Sequence, residues 1–135
     1  MRQLTNHHVA FSPPPVVVKA ADESGLGKAC HRYRLSGFAL DTDPQAGNDD
    51  VTALRREELV VLLQNGPVGP NGEHNGVTME SLLAVGIDRL RGQQTGPTAT
   101  AETAGALEYL RLAMRCLHER ERRCQAEVNE YQAKH

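Results

Sequence analysis

The longest hydrophobic pattern in the chain lies in its last third, from Thr98 to Tyr131. Apolar or partly apolar side chains recur there three and four residues apart, with Glu121 in the one gap: Leu107, Leu110, Met114, Leu117, Cys124, Val128 and Tyr131. This heptad pattern is typical of a helix that packs along another helix. It predicts a helix from about Ala101 to Tyr131, about 45 Å long. A chain of 135 residues forms a globule only about 28 Å across, so the helix should overhang its own domain. A second copy of the chain is the simplest partner for the overhanging apolar stripe.

A shorter helical pattern precedes this helix. Thr78 has the character of an N-cap, and Glu80 stands in the first turn, where a carboxylate is favourable. The apolar positions that follow have helical spacing: Met79, Leu82, Leu83, Gly86, Ile87 and Leu90. The pattern predicts a first helix from about Met79 to Arg91, ended by Gly92, Thr95, Gly96 and Pro97. Together the two helices form an αα-hairpin.

The first half of the chain has the patterns of short strands. Strands are predicted at Val16–Ala20, Ala29–Leu40 and Leu59–Gln64, the last as a continuous apolar run that suggests burial on both faces. The segment before them, with Pro13, Pro14 and Pro15, is an extended arm or an edge segment. Arg32 and Arg34 share a strand face, which is either solvated or faces an anion.

These elements predict an α+β fold, in which a small N-terminal antiparallel β-sheet is followed by a C-terminal αα-hairpin that drives homo-oligomerisation. The predicted domains are an N-terminal arm at 1–15, a β-rich region at 16–76 and a helical hairpin domain at 77–135.

Composition supports an assembly of several copies. Apolar residues make up 39% of the chain and aromatic residues 4%, so the protomer core should be thin and subunit contacts should bury further apolar surface.

The net charge of −2, without a block of like charges, gives no electrostatic footprint for a nucleic acid polymer. No apolar run approaches the roughly 20 residues of a membrane span, and the N-terminus lacks the apolar centre of a signal peptide. Three unclustered cysteines, Cys30, Cys116 and Cys124, indicate free thiols in a reducing cytosol.

Motifs for catalysis or metal binding are not convincing. The six histidines are scattered, and no nucleophile motif is present. The acidic stretch Asp41–Asp50 resembles a calcium loop but lacks the EF-hand spacing. The Gly/Pro/Asn-rich stretch Asn65–Gly76 is better explained by turn chemistry than as a phosphate cradle, since it has neither GK[ST] nor GxGxxG. We therefore expect no catalytic residue, no metal and no cofactor.

Arginine density is the unusual feature of the second helix, which carries Arg111, Arg115, Arg120, Arg122 and Arg123. Arg111 and Arg115 share one face, and Arg120 and Arg123 another. Glutamates among them could form surface pairs, in which case the arginines are a solvated flank of the helical seam. The alternative is recognition of phosphate, which guanidinium groups bind in a bidentate manner.

The segment from Gln64 to Arg123 resembles a known family. The strings QNGPV, NGVTMESLLAVGIDRLRG and QTGP, then AET-A-AL and LHER, resemble the hairpin domain of phage-encoded anti-defence "sponges". These are the Thoeris anti-defence family and its relative that counters CBASS. The resemblance implies a homodimer or larger oligomer, a hexamer among the alternatives, that works in the cytoplasm of the infected bacterial host. It implies that the protein sequesters a nucleotide second messenger between protomers without cleaving it. The messenger would be a cyclic ADP-ribose isomer or a cyclic oligonucleotide.

Transferred position by position, the resemblance is partial. The family's stacking aromatic falls on Gln93, and its asparagine early in the second helix falls on Thr103. Its two ligand-binding arginines, four residues apart, fall on Arg120 and Cys124. Three alternatives follow: Arg123 substitutes for the second arginine, the ligand differs, or this pocket is lost.

Energetics favours several arginines from two copies of the chain. A nanomolar dissociation constant requires about −12 kcal/mol, whereas one charge-assisted hydrogen bond contributes roughly 1.5–3 kcal/mol. We therefore expect Arg120 and Arg123 to bind the ligand, with Arg91 as a third. Two other hypotheses stay open: an assembly oligomer of phage origin, and an enzyme that cleaves a cyclic nucleotide.

Overall fold

The structure, a computed structural model, describes residues 1–10, 16–23, 29–39 and 57–135. The chain divides into two compact units, Met1–Val77 and Thr78–His135. Within the described residues the first unit holds an antiparallel sheet and the second holds two helices, so the predicted α+β class is confirmed. Oligomerisation through the hairpin stays a prediction. The stretch that resembles a calcium loop, residues 41–50, lies outside the described residues.

The described part of the first unit forms a sheet in the order β1-β2-β3-β4, so each strand pairs with its neighbours along the chain. The strands are β1 (Arg2–Leu4), β2 (Val17–Ala20), β3 (Arg32–Ser36) and β4 (Glu58–Leu62). Because β1 pairs only with β2 within the described sheet, part of the N-terminal segment is an edge strand of that sheet.

The best-buried part of the sheet lies where β2 meets β3. Val18 pairs with Leu35 and Ala20 with Tyr33, and Ala20 is 1% exposed. Just beyond β2, the Asp22 carboxylate accepts the backbone N–H of Arg32 at 3.1 Å and lies 2.6 Å from Nδ1 of His31. This carboxylate therefore fixes the start of β3 against the end of β2.

β4 corrects one sequence prediction. The run Leu59–Gln64 was expected to be buried on both faces, but Leu59, Val60 and Leu62 are 53%, 45% and 40% exposed. These side chains are exposed because β4 is the last strand of the described sheet and pairs along its length only with β3. An apolar run indicates a strand, but its burial depends on what the rest of the chain places over it.

The first helix of the second unit, α1 (Met79–Gln94), begins where the sequence predicts. Thr78 Oγ1 accepts the N–H of Ser81 at 3.1 Å, and Ser81 Oγ accepts the N–H of Thr78 at 3.0 Å. This reciprocal cap satisfies backbone donors that a helix start otherwise leaves free. The helix continues three residues past the predicted end, because Gly92 is tolerated and glutamines are good helix formers.

The second helix, α2 (Ala101–Lys134), has 34 residues and is about 51 Å long. Thr100 caps it by accepting the N–H of Thr103 at 3.0 Å. The packing against α1 is close at Gly86, where an added Cβ would lie 3.2 Å from Cδ1 of Leu110. Leu107 is 7% exposed, and Leu110, Met114 and Leu117 are half-buried, whereas every residue from His118 onward is exposed. The heptad seam is thus used only in its first half within one hairpin.

Candidate anion-binding site

The arginines of α2 lie on both flanks of its apolar seam. At about 100° per residue, Arg111, Arg115 and Arg122 fall on one side, and Arg120 and Arg123 on the other. All five are exposed. Their availability for a ligand therefore depends on which carboxylates pair with them.

Arg122 is committed to a neighbour on its own helix. Its Nε donates to Oε2 of Glu119 at 3.2 Å, and Nη2 binds the other carboxylate oxygen. The hydrogen bond with Glu119 and the negative charge of that carboxylate raise the pKa of Arg122 above its ordinary value. The same hydrogen bond and the positive charge of Arg122 lower the pKa of Glu119. Arg91 is held in the same way by Asp88, at 3.1 Å. Each pair occupies part of a guanidinium and places a negative charge beside it, which disfavours an incoming anion.

Arg120 and Arg123 are less committed. Arg120 lies 3.9 Å from the Glu80 carboxylate of α1, the outer limit of an ion pair. Arg123 makes no ion pair with any residue that the structure describes. The flank with Arg120 and Arg123 is thus one candidate for an incoming anion. On the other flank Arg111 and Arg115 also make no ion pair with a described residue, but Arg122 is paired with Glu119.

The six candidate ligand residues fall into two groups on one hairpin. Arg91, Gln93 and Thr103 lie at the loop end, where α1 ends and α2 begins. Arg120, Arg123 and Cys124 lie at the open end, beside the start of α1. Thr103 and Arg120 are about 25 Å apart along the helix axis. A single small ligand therefore cannot contact both groups on the same hairpin.

The residues of the loop end have structural roles. The N–H of Thr103 donates to Oγ1 of Thr100, and the two hydroxyls lie 2.9 Å apart. Oε1 of Gln94 accepts the N–H of Thr100 at 3.0 Å. Gln93 is half-buried, and its backbone oxygen accepts the N–H of Gly96. These bonds close the turn between the helices.

Glu80 also lies at the open end, which its sequence position alone does not indicate. The sequence identified it as a first-turn carboxylate of α1, whereas the structure sets it beside Arg120. An antiparallel alignment of the two heptad patterns through a short loop is the signal that could have found it. Glu80 lies beside Arg120 and competes with any anion for it.

The open end can bind an anion by hydrogen bonding and charge. Guanidinium groups donate N–H bonds in a fork that fits phosphate oxygens. The Cys124 thiol is free and exposed. Among the described residues, no three His, Cys, Asp or Glu side chains gather as metal ligands would. The chemistry that these guanidinium groups offer is recognition of an anion.

Comparison with known proteins gives no assignment, since neither a protein-family model nor a curated protein matches the chain. Among the described residues, no helix has the length and apolar character that crossing a membrane requires.

Proposed function

We propose that this protein binds a nucleotide-derived immune signal and sequesters it without cleavage. It would act as a phage anti-defence protein in the cytoplasm of the infected host. The signal is a cyclic ADP-ribose isomer or a cyclic oligonucleotide, and the blocked defence is of the Thoeris or CBASS type. The resemblance of Gln64–Arg123 to the sponge family motivates the proposal. The observation that carries it is the exposed, weakly paired flank formed by Arg120 and Arg123.

The proposal requires more than one copy of the chain. Two guanidinium groups that each donate two charge-assisted bonds, at roughly 1.5–3 kcal/mol per bond, reach the about 12 kcal/mol of nanomolar binding only at the upper end of that range. A second copy doubles the number of donors. The exposed half of the seam, with Val128 48% and Tyr131 64% exposed, is a surface on which that copy can pack.

An assembly oligomer without a messenger is the second candidate. Two observations favour it: Cys124 stands where the family has an arginine, and Gln93 stands where it has a stacking aromatic. The same exposed seam would serve assembly alone. A third outcome, turnover of the ligand, would indicate an enzyme.

Native mass spectrometry separates these functions. The protein is mixed with a panel of cyclic di- and trinucleotides and cyclic ADP-ribose isomers, and the complexes are then denatured. Intact ligand recovered from the oligomer supports sequestration. A changed ligand mass indicates an enzyme, and no uptake of any ligand supports the assembly protein.

The site assignment is tested by substitution. We expect Arg123→Ala and Arg120→Ala each to weaken binding of the ligand found in the panel by about ten- to a hundredfold, because each removes a charge-assisted donor. The measurement is isothermal titration calorimetry with the helical circular dichroism signal as a check on folding. Arg115→Ala is the control, since it removes an exposed arginine from the opposite flank. Unchanged affinity in both variants would dismiss the assignment.

A further inference from the structure

The apolar seam of α2 continues beyond the part that α1 can cover. The close approach of Gly86 to Leu110 and the pair Glu80–Arg120 fix the antiparallel alignment of the two helices. In that alignment Leu83 falls opposite Met114, and Met79 and Glu80, at the start of α1, fall level with Leu117. Apolar packing within the hairpin therefore ends at Leu117, because α1 begins there.

The seam positions from Leu117 onward form what we call the distal stripe: Leu117, Glu121, Cys124, Val128 and Tyr131. Leu117 is half-buried and the other four are exposed. The flank beside the stripe carries Arg120, Glu127 and Lys134 at intervals of seven residues. Since flanking charges select orientation and register in paired helices, they can be used to choose among the ways in which two copies could pair.

A parallel pairing gains nothing from these charges. It would set each seam residue against itself, so that Glu121 meets the partner's Glu121 in the middle of the stripe. The flanking Arg120 and Glu127 would face neutral glutamines, the partner's Gln125 and the partner's Gln132. Like charges without compensation disfavour this arrangement.

Several antiparallel registers keep the heptads aligned. One of them sets Val128 opposite the partner's Tyr131 and Glu127 against the partner's Lys134, but it leaves Leu117 and Glu121 uncovered, whereas two others overlap along most of the distal stripe. In one, Cys124 lies opposite the partner's Val128. Its flank then sets Glu127 against the partner's Glu127 and Arg120 against the partner's Lys134, so all its charge contacts are repulsive.

In the other register, Leu117 lies opposite the partner's Val128, and Glu121 lies opposite the partner's Cys124. Its flank sets Arg120 against the partner's Glu127, and the twofold axis repeats this ion pair. Leu117, which is half-buried in its own hairpin, thereby gains a further apolar neighbour. Both the apolar and the charged positions favour this register.

We propose that the distal stripe is the docking surface for a second copy of this chain, antiparallel, with Leu117 against the partner's Val128 and two ion pairs between Arg120 and the partner's Glu127. The twofold axis then passes close to Arg123, so both copies of Arg123 lie near it. Because a guanidinium has five N–H donors, Arg120 can pair with the partner's Glu127 and still present N–H groups to an anion. The inference rests on the paired copies that the proposed function requires, but its test needs no ligand.

The first test reverses the charges of the proposed Arg120–Glu127 ion pair and measures the dimer dissociation constant by sedimentation equilibrium. Glu127→Arg and Arg120→Glu should each weaken the dimer at least about tenfold, because each sets like charges against one another twice. The double variant should restore it. Ala126→Arg, which adds the same charge on the face opposite the stripe, should leave the dimer unchanged.

Disulfide formation is the second test and is independent of those charges. In a Cys30→Ser/Cys116→Ser background, Glu121→Cys should give a covalent dimer that joins position 121 to the partner's Cys124. Trypsin cuts after Arg122 and Arg123, so the two positions lie on different peptides and mass spectrometry identifies the link.

The outcomes separate the inference from the proposed function. The antiparallel register is overturned if the charge variants leave the dimer dissociation constant unchanged and the disulfides join 121 to 121 and 124 to 124. That result would still leave a dimer, as the proposed function requires. A chain that stays monomeric at high concentration overturns both.

Discussion

At the scale of single residues, the Asp22 carboxylate shows how one group can hold two strands together. Partial burial acts to raise its pKa. The backbone N–H groups of Arg32 and His31 and the charge of the His31 imidazole outweigh that effect, so the pKa of Asp22 lies below its ordinary value of 3.8. The folded sheet thus favours the ionised carboxylate more than the unfolded chain does.

A depressed pKa makes a definite prediction for Asp22→Asn. The stability that the ionised Asp22 carboxylate gives to the folded protein is fully present above the unfolded pKa of 3.8. It is lost as the pH falls through the lower folded pKa. The variant should therefore be less stable than the wild type at neutral pH, and the difference should shrink in acid. Denaturant unfolding between about pH 6 and about pH 2 measures it. A difference that stays constant across this range would show that the charge of Asp22 has no part in stability.

At the scale of elements, the hairpin depends on one glycine at the contact between its helices. A Cβ at Gly86 would lie 3.2 Å from Leu110 Cδ1, whereas one at Gly105 would have no other atom within 4 Å. Gly86→Val should therefore destabilise the hairpin by about 1–3 kcal/mol through overpacking. Gly105→Val is the matched control, with the same change in helix propensity. Thermal unfolding of the helical signal measures both, and equal effects would refute a packing role for Gly86.

The elements also show what the sequence could predict. Both helices were predictable because periodicity and caps are local: Thr78, Leu107 and Leu110 each specify their place within a few residues. The exposure of Leu59 and Leu62 could not be predicted, because an apolar run does not show whether its strand lies in the centre or at the edge of a sheet. The proximity of Glu80 to Arg120 was also missed, because it depends on the alignment of two helices.

At the scale of the whole molecule, the described part of each unit has little apolar interior of its own. Among the described residues, Ala20 and Leu107 are the buried apolar side chains, at 1% and 7% exposed. Large apolar side chains such as Val85, Tyr109 and Tyr131 are 68%, 74% and 64% exposed. A chain of this kind gains stability when another copy covers part of that surface.

Stability should accordingly depend on protein concentration. For a dimer that unfolds to separate chains, a tenfold rise in concentration adds about 1.4 kcal/mol, which raises the Tm of an assembly of this size by about 2–5 °C. Differential scanning calorimetry over a hundredfold range of concentration measures this slope. Glu127→Arg, which should weaken the pairing of α2 helices, should lower the Tm at low concentration, whereas Ala126→Arg should follow the wild type. A Tm independent of concentration in the wild type would mean that each chain is stable alone, and its exposed seam would then need a different partner.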